Sequence, residues 1–253
     1  MSELTIDLNS DLGESPEALA NGTDLELMRS ITSANVACGG HAGDAATMTQ
    51  TLLAARELNV AVGAHPSFPD RANFGRIAMD IPSSEIERSV RDQIMSLAAI
   101  AKSLGIRVAH VKPHGALYHA ARSRPVAEAI GLAALTVDPD LVMVGQAGSP
   151  TLDYWRAMNL RCAAEAFADR AYELDGTLRS RTLPGALHDL NRAAAQALEI
   201  ARNHRVTTAN GRHLAVHAQT ICIHSDTPGA PAIAREVKQR LTTAGFSLSP
   251  LVL

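Results

Sequence analysis

Short apolar runs rich in β-branched residues alternate along the whole chain with longer, alanine-rich segments of helical period. This alternation predicts an α/β protein of repeated βα units, in which helices cover a sheet of parallel strands. The predicted strands are residues 4–9, 34–38, 61–65, 108–112, 141–145, 162–167 and 220–224, with a weaker one at 246–251. The predicted helices are residues 24–32, 44–58, 83–104, 125–135, 150–158, 187–203 and 230–243.

The length of the chain bears on how that sheet closes. Its 253 residues suit a single (β/α) barrel domain over residues 1–253, because such a barrel typically needs about 250 residues. Strict alternation of seven or eight strands favours a closed barrel, whereas an open, doubly wound sheet gives the same alternation and stays an alternative. The polar stretch 204–212 is predicted to be a surface loop.

Charge and cysteine content narrow the function classes. The net charge is −3 and the arginines are scattered, so the chain lacks the basic stripe that binds a phosphate backbone. The three cysteines form no CxxC pair, as expected for reduced thiols in a cytosol. The first residues lack a signal-peptide pattern, and no apolar run reaches the roughly 18 residues of a membrane span. The sequence thus predicts a cytoplasmic protein that binds neither nucleic acid nor membrane.

Nearly every ionisable residue suited to chemistry follows a predicted strand, where that strand gives way to a glycine-rich turn. In parallel α/β folds the loops at the carboxyl ends of the strands converge on one face. Side chains far apart in sequence are therefore expected to share one cavity, and the chain is predicted to be an enzyme.

The first such segment is residues 7–14, where Asp7, Asn9 and Asp11 alternate along an extended chain and so share one face. Inside a barrel these polar groups are costly if unpaired, so they must hydrogen-bond, bind an ion or face a polar ligand. The alternative is an acidic turn that caps the next helix.

In the second segment, residues 35–44, Gly39 and Gly43 flank His41. Glycines let backbone amides approach a ligand and let the imidazole point into a cavity. Asp44 is equally well explained as the N-cap of the following helix. Cys38 is expected to be a buried structural thiol rather than a nucleophile.

His65 and His114 both follow predicted strands and lie beside proline and glycine. A neutral imidazole in such a position carries protons or binds a metal. With Asp11 and His41 they resemble a divalent-metal site, but no HExxH or similarly tight spacing supports one. A bound transition metal is therefore not favoured, although it stays open. The histidines expected at the surface or in the core are His110, His119, His188, His204, His213 and His217.

Lys112 stands out because the chain has only three lysines and this one ends a predicted buried strand. An ammonium group there needs a carboxylate or an anionic ligand, and Glu165 or Asp11 would serve. A structural ion pair is the alternative. Asp169 and Arg170 follow Glu165, and the fork-shaped guanidinium of Arg170 suits a substrate carboxylate.

Taken together, these segments resemble the LamB/YcsF family from residue 4 to near the C-terminus. The matching motifs occur in the family's order at residues 7–9, 11–14, 35–44, 63–66, 111–118, 165–170 and 226–230. The resemblance implies a barrel related in fold to the polysaccharide deacetylases. It also implies an ATP-dependent 5-oxoprolinase activity, in which the family's own chain works with 5-oxoprolinase subunits B and C to open the lactam of 5-oxoproline to glutamate.

Roles for individual residues follow from these motifs. The predicted catalytic residues are Asp11, His41, His65, Lys112, His114 and Glu165. The predicted substrate-binding residues are Asn9, Gly39, Gly43, Asp44, Asp169 and Arg170. Lys112 and the amides near 39–43 would steady negative charge, Arg170 would hold the substrate carboxylate, and Asp11 or one of the three histidines would move protons.

ATP with Mg²⁺ is the cofactor that the resemblance implies, although the sequence has no GxxxxGK[ST] loop. Any ATP site must therefore be built differently or shared with partner subunits. Two alternative functions stay open: a metal-dependent hydrolase of the deacetylase kind, and a non-catalytic subunit that only holds substrate.

The chain departs from the family's pattern at four positions. Ser10, Gly40, Ala45 and Ser225 stand where the family usually has cysteine, an aromatic residue, proline and glycine. Ser10 argues that the chemistry needs no thiol at that position. Gly40 is expected to open the pocket.

Overall fold

The computed structural model describes residues 4–251. Its strands in this range are β1 (Thr5–Leu12), β2 (Ser33–Ala37), β3 (Ala61–His65), β4 (Val108–Val111), β5 (Val142–Gln146), β6 (Arg161–Phe167), β7 (Arg205–Thr207), β8 (His213–Ala215), β9 (Thr220–Cys222) and β10 (Ser247–Leu248). Its helices in this range are α1 (Pro16–Ala20), α2 (Thr23–Met28), α3 (Ala45–Glu57), α4 (Ser83–Ser103), α5 (Gly115–Ala120), α6 (Arg124–Val137), α7 (Pro150–Ala157), α8 (Leu190–Asn203) and α9 (Ala230–Thr243).

Seven parallel strands close into a barrel in the order β1, β2, β3, β4, β5, β6 and β9. β1 pairs with β2 on one side, through Asn9↔Ser33, and with β9 on the other, through Asp7↔Thr220. Because β9 also pairs with β6, the ring has no gap at this point. The closed barrel is therefore confirmed, and the open sheet is wrong.

The weak eighth strand of the prediction becomes β10, which lies outside the ring. It pairs only with the first residues of β1, through Thr5↔Ser247 and Ile6↔Leu248. β10 thus pairs with residues 5 and 6 of β1, whereas β9 pairs with residues 7–9 of the same strand.

The long helix α4 illustrates how the outer layer is attached. Its buried aliphatic residues Ile86, Val90, Ile94, Leu97 and Ala101 recur at three- or four-residue intervals, so one stripe packs inward. Full burial of a large aliphatic side chain contributes about 1.5–3 kcal/mol relative to exposure. The barrel strands, by contrast, are buried on both faces over most of their length, with one face against the helices and the other inside the barrel.

Some short elements are missing from the predictions. Residues 204–212 include part of an antiparallel hairpin, in which β7 and β8 pair through Val206↔Leu214. Its strands have only three residues each, which is too short for an alternating pattern to show in a sequence. The short helices α1 and α5 are likewise absent from the prediction. No helix between residues 4 and 251 is long and apolar enough to cross a membrane.

The inside of the barrel is polar. Asp7, Asn9 and Asp11 of β1 are all buried, and their side chains contact residues of other strands, so their shared face points inward as predicted. They follow one another towards the carboxyl end of the ring. Of the three, Asp11 lines the cavity at the carboxyl ends of the strands, and Asp7 and Asn9 do not line that cavity.

Candidate active site at the barrel mouth

The carboxyl ends of the strands surround a cavity of about 520 Å³, a size typical of small-molecule sites. The ionisable and aromatic residues that line it are Asp11, His65, Arg76, Lys112, His114, Tyr118, His119, Phe167, Arg170, Arg181 and His224. The predicted meeting of strand-end side chains at one mouth is confirmed for Asp11, His65, Lys112, His114 and Arg170.

Lys112 lies between two buried carboxylates. Its Nζ is 3.0 Å from Asp11 Oδ1 and 2.8 Å from Glu165 Oε1, and it also donates to Asn9 Oδ1 at 3.2 Å. Burial alone would lower the pKa of the ammonium group, but Asp11 and Glu165 raise this pKa well above its ordinary value. Lys112 is therefore charged, and both partners expected from the sequence are present.

Glu165 is fully buried behind this lysine. Its Oε1 accepts from Lys112 and from Asn9 Nδ2 at 3.0 Å, and its Oε2 accepts from the Tyr118 hydroxyl at 2.8 Å. Glu165 and Asn9 therefore position Lys112 and Tyr118, which line the cavity. Tyr118 is not among the predicted site residues; it lies on α5, one turn beyond His114.

Asp11 binds Lys112 through one oxygen and faces His65 with the other. Its Oδ2 lies 3.4 Å from His65 Nε2, and its Oδ1 also accepts from Asn35 Nδ2 at 2.8 Å. Burial alone would raise the pKa of Asp11, but the charges of His65 and Lys112 hold this pKa well below its ordinary value. Asp11 is therefore an ionised carboxylate.

Three imidazoles converge on one oxygen of Glu14. Glu14 Oε1 lies 2.8 Å from His41 Nε2, 3.2 Å from His114 Nδ1 and 3.7 Å from His65 Nε2. Burial alone would raise the pKa of Glu14, but the contacts with His114 and His41 hold this pKa well below its ordinary value. Glu14 belongs to a motif noted in the sequence, yet the sequence predicts no role for it.

His41 stacks on His114, with ring centroids 3.7 Å apart and planes 3° from parallel, and Phe74 packs edge-on against both rings. Burial lowers the pKa of His41 to about 4, so the ring is neutral near pH 7. Gly75 makes this packing compatible with the chain: its φ is +62°, and a Cβ there would lie 2.9 Å from His41 Cβ.

Gly39, Gly43 and Asp44 lie away from this cavity. Arg71 Nη1 binds the carbonyl oxygens of Gly39 at 3.1 Å and Gly43 at 2.8 Å, and the Gly39 amide donates to Ala42 O at 2.8 Å. Gly43 and Asp44 line a separate cavity of about 170 Å³, beside Glu14 and His41. Gly43 is required by its turn, since its φ is +83° and a Cβ there would lie 2.4 Å from Ala37 O.

Asp44 is exposed and caps helix α3. Its Oδ1 accepts from the Thr47 amide at 2.8 Å, and the Thr47 hydroxyl reaches back to the Asp44 backbone, which completes a capping box. Of the two explanations for Asp44, the structure supports the cap. The positions of Gly39, Gly43 and Asp44 give no support for substrate binding at the main cavity.

Two of the departures from the family's pattern have structural explanations. A Cβ at Gly40 would lie 2.3 Å from Gln93 Oε1 and 2.4 Å from Ser67 Oγ, so this position is packed and does not open the pocket. The expectation for Gly40 is therefore wrong. Ser10 is buried and its hydroxyl donates to Ile223 O at 2.6 Å, which is a structural contact.

Asp169 and Arg170 follow β6 and have different roles. Asp169 is fully buried; its Oδ1 lies 3.0 Å from His224 Nδ1, and the charge of His224 keeps the pKa of Asp169 below its ordinary value despite burial. Arg170 Nη2 donates to Arg179 O at 2.7 Å, while its buried Nε has no partner within the described range 4–251. His224 stacks on Phe167, and the sequence predicts no role for it.

The lining of the cavity carries more positive than negative charge. Arg170 lines it together with Arg76 and Arg181, and both of these bind Asp226, the latter at 2.6 Å. Potential metal-binding atoms form two groups, one of Glu14, His41, His65 and His114 and another of Asp11, Cys222 and His224. The mouth therefore combines several arginines with clustered imidazoles and carboxylates.

Fold and mouth together define a class of protein: a closed seven-stranded α/β barrel with its reactive side chains at the carboxyl ends of the strands. A family 4 carbohydrate esterase from Streptomyces lividans shares this fold, with a TM-score of 0.52 and 12% identity over 98% of this chain and 93% of the esterase. The lactam utilization protein from Thermus thermophilus is far more similar. Its TM-score is 0.90 at 41% identity, over 97% of this chain and 99% of that protein.

Sequence comparison identifies the family within this class. The model of the LamB/YcsF family matches residues 6–252. The A subunit of 5-oxoprolinase from Chloroflexus aggregans is 48% identical over 247 residues, which are 97% of this chain and 98% of that protein. The chain belongs to the LamB/YcsF family, and the resemblance inferred from its motifs is confirmed.

Proposed function

We propose that the chain is the A subunit of an ATP-dependent 5-oxoprolinase and that it works with subunits B and C to open the lactam of 5-oxoproline at the barrel mouth. The observation that carries this proposal is the cavity, where a cationic wall meets a buried set of carboxylates and imidazoles. The near full-length relatives, one named as the A subunit of 5-oxoprolinase and one as a lactam utilization protein, support the same reaction.

The substrate offers a carboxylate and a cyclic amide. Arg170 has a buried Nε without a partner in the described part of the chain, and it lines the cavity, so we assign it to the substrate carboxylate. Arg76 and Arg181 lie at the same wall and add positive charge for a phosphate group. Lys112 lies where it can stabilise negative charge that develops on the amide oxygen.

An unstrained lactam is a poor electrophile, so we propose that ATP first activates it. The γ-phosphoryl group is transferred to the amide oxygen and ADP is released. Water then adds to the carbonyl carbon, the ring C–N bond breaks and a proton passes to the nitrogen, which gives an acyl phosphate of glutamate. A second water molecule hydrolyses this acyl phosphate to glutamate and inorganic phosphate. We assign ATP use, with Mg²⁺, to the assembled enzyme because this chain has no GxxxxGK[ST] loop.

We assign proton transfer to His224. Its Nδ1 faces Asp169 at 3.0 Å, which fixes the tautomer and orientation of the ring, and no residue between 4 and 251 bonds to its Nε2. Because His224 lines the cavity, this second nitrogen is available to substrate or water. Proton-transfer roles for Asp11, His41, His65 and His114 stay predictions.

The direct test is glutamate formation from 5-oxoproline and ATP by this chain with subunits B and C. We expect glutamate only when all three are present. Replacing His224 by Asn should lower kcat by about 100- to 10,000-fold, which is the usual contribution of a general acid–base group. His213, which is exposed on β8, provides the matched control, and His213→Asn should turn over normally.

Two results would contradict the proposal. One is the absence of glutamate from the complete mixture, and the other is full glutamate production when this chain is omitted. Normal turnover by His224→Asn would leave the overall reaction in place but would remove His224 from it.

A further inference from the structure

Backbone carbonyl groups fix the tautomers of two buried histidines at the mouth. His65 Nδ1 lies 2.7 Å from Lys112 O, and His114 Nε2 lies 3.0 Å from Phe74 O. A carbonyl oxygen only accepts hydrogen bonds, so each of these nitrogens carries the hydrogen. In the neutral rings, His65 Nε2 and His114 Nδ1 therefore present bare lone pairs.

These lone pairs face each other and two carboxylates. His65 Nε2 and His114 Nδ1 are 3.1 Å apart, Glu14 Oε1 is 3.7 Å and 3.2 Å from them, and Asp11 Oδ2 is 3.4 Å from His65 Nε2. Buried acceptors that converge without a hydrogen between them are unfavourable unless a cation joins them. The geometry thus requires either a proton or a metal ion.

We propose that His65, His114 and Glu14 bind one divalent transition-metal ion of the zinc type. In a tetrahedral site with bonds of about 2.0–2.1 Å, neighbouring donor atoms lie about 3.3 Å apart. The three donor atoms here are separated by 3.1, 3.2 and 3.7 Å. Imidazole and carboxylate donors suit zinc, and also cobalt as a probe.

The surroundings of the two rings match those of metal-bound histidines. Such a histidine usually donates its other N–H group to a carbonyl or carboxylate, and His65 and His114 each donate to a backbone carbonyl. Both rings also line the main cavity, so an ion held between them would be accessible from it. An ion there supplies a Lewis acid next to the substrate.

Charge balance favours a divalent ion over a single proton. Asp11, Glu14 and Glu165 bring three negative charges to the contact network, and Lys112 brings one positive charge. Two negative charges are left, and a divalent ion neutralises both. A proton on His65 neutralises only one.

His41 is a positioning residue in this arrangement, not a ligand. Its ring is parallel to that of His114 at 3.7 Å, and a metal ion lies in the plane of each imidazole that binds it. One ion cannot lie in both planes. His41 instead contacts Glu14 Oε1 through Nε2 at 2.8 Å and holds that carboxylate against the two ligand rings.

The experiment uses the full chain alone, without subunits B and C, 5-oxoproline or ATP. The protein is loaded with Zn²⁺, desalted and analysed for metal, and Co²⁺ is titrated while its visible d–d absorption is followed. We expect about one ion per chain. His65→Ala and His114→Ala should each weaken binding more than 100-fold, whereas His41→Asn should weaken it by no more than about 10- to 100-fold, as supporting residues do.

His110 provides the matched control, because it is a buried imidazole of the same barrel whose Nε2 bonds to Asn35 Oδ1 at 2.7 Å. His110→Asn should bind the metal normally. Circular dichroism checks that each variant is folded. The metal content of the wild-type protein tests the proposal even if a variant fails to fold.

Substoichiometric metal in the loaded wild-type protein would overturn the proposal and leave the proton on His65 as the occupant. A loss in His41→Asn as large as that in His65→Ala would overturn the ligand assignment. Because no turnover is measured, a failure to form glutamate in the reconstituted mixture would count against the proposed function and not against this site.

Discussion

The two ends of the barrel interior satisfy their buried carboxylates in different ways. At the amino end, which we call the floor, Asp7 accepts hydrogen bonds from the hydroxyls of Thr32 and Ser33, both at 2.7 Å, and from Thr220. At the carboxyl end, which we call the mouth, Asp11 faces Lys112, His65 and open space. The donors at the floor are neutral hydroxyl groups, whereas the mouth has a charged lysine and imidazoles beside a cavity.

This difference shows that a buried acidic residue does not by itself mark a functional site. Asp7 and Asp11 lie four residues apart on one strand and share one face, yet Asp11 lines the cavity at the mouth and Asp7 does not. Asn35 Nδ2 donates to Asn9 and Asp11, and its Oδ1 faces His110. Asn9 in turn donates to the hydroxyl of Thr220, which also binds Asp7, so hydrogen bonds link the two ends. Within one polar interior, Asp7 therefore has a structural role at the floor, and Asp11 lies beside the cavity at the mouth.

Removing the charge at the mouth should have the largest effect. Lys112→Met leaves the buried carboxylates of Asp11 and Glu165 without their shared cation, so we expect a loss of about 3–5 kcal/mol in the free energy of unfolding. Glutamate formation should also fall by at least about 100- to 1,000-fold, because the stabilising charge is lost. Urea unfolding and the reconstituted reaction measure the two effects.

Lys102, exposed near the end of α4, offers the control for this change. Lys102→Met should have normal stability and turnover. If Lys112→Met behaved like Lys102→Met, the distinction between mouth and floor would fail.

The second prediction concerns the buried residue His110 and the pH dependence of the free energy of unfolding. Burial lowers the pKa of His110 from 6.5 to about 3. The unfolded chain therefore binds more protons than the folded chain below pH 6.5, and stability falls as the pH drops from 6.5 towards 3. By pH 5 the loss is about 2 kcal/mol, at about 1.4 kcal/mol per pH unit.

His110→Asn removes this titration, so its free energy of unfolding should fall less between pH 7 and pH 5 than that of the wild type. Urea titrations at the two pH values give the comparison. Equal losses in both proteins would show that His110 does not limit stability in acid.

The smallest effect is expected outside the barrel, at the cap of α3. Asp44→Ala removes the oxygen that accepts from the Thr47 amide and should cost about 1 kcal/mol of stability. Turnover should be unchanged because Asp44 does not line the main cavity. A raised KM for 5-oxoproline with normal stability would instead return Asp44 to substrate binding.

Much of the fold and part of the mouth could be predicted from the sequence. Asp11, His65, Lys112 and His114 lie within three residues of the carboxyl ends of parallel strands, and these ends converge in any such barrel. Closure of the ring could not be decided, because it depends on the pairing of β1 with β9, more than 200 residues away, and alternation does not encode that contact.

For the residues that the sequence analysis missed, the local sequence pattern does not indicate where the side chain points. Glu14 follows Gly13, whose φ of +69° turns the chain after β1 and brings the carboxylate back to the histidines. Tyr118 reaches Glu165 from a helix of only six residues. His224 is oriented by Asp169, 55 residues earlier in the chain. Each role depends on a tertiary contact that spacing alone does not reveal.

The central claim is that chemistry takes place at the mouth, and a crystal structure of the chain with 5-oxoproline or glutamate tests it most directly. We predict that the ligand carboxylate binds Arg170 and that its amide or amine end lies beside Lys112 and His224, in the cavity of about 520 Å³. A ligand bound instead at Arg71 and Asp44 in the smaller cavity, with the mouth free of ligand, would contradict the claim.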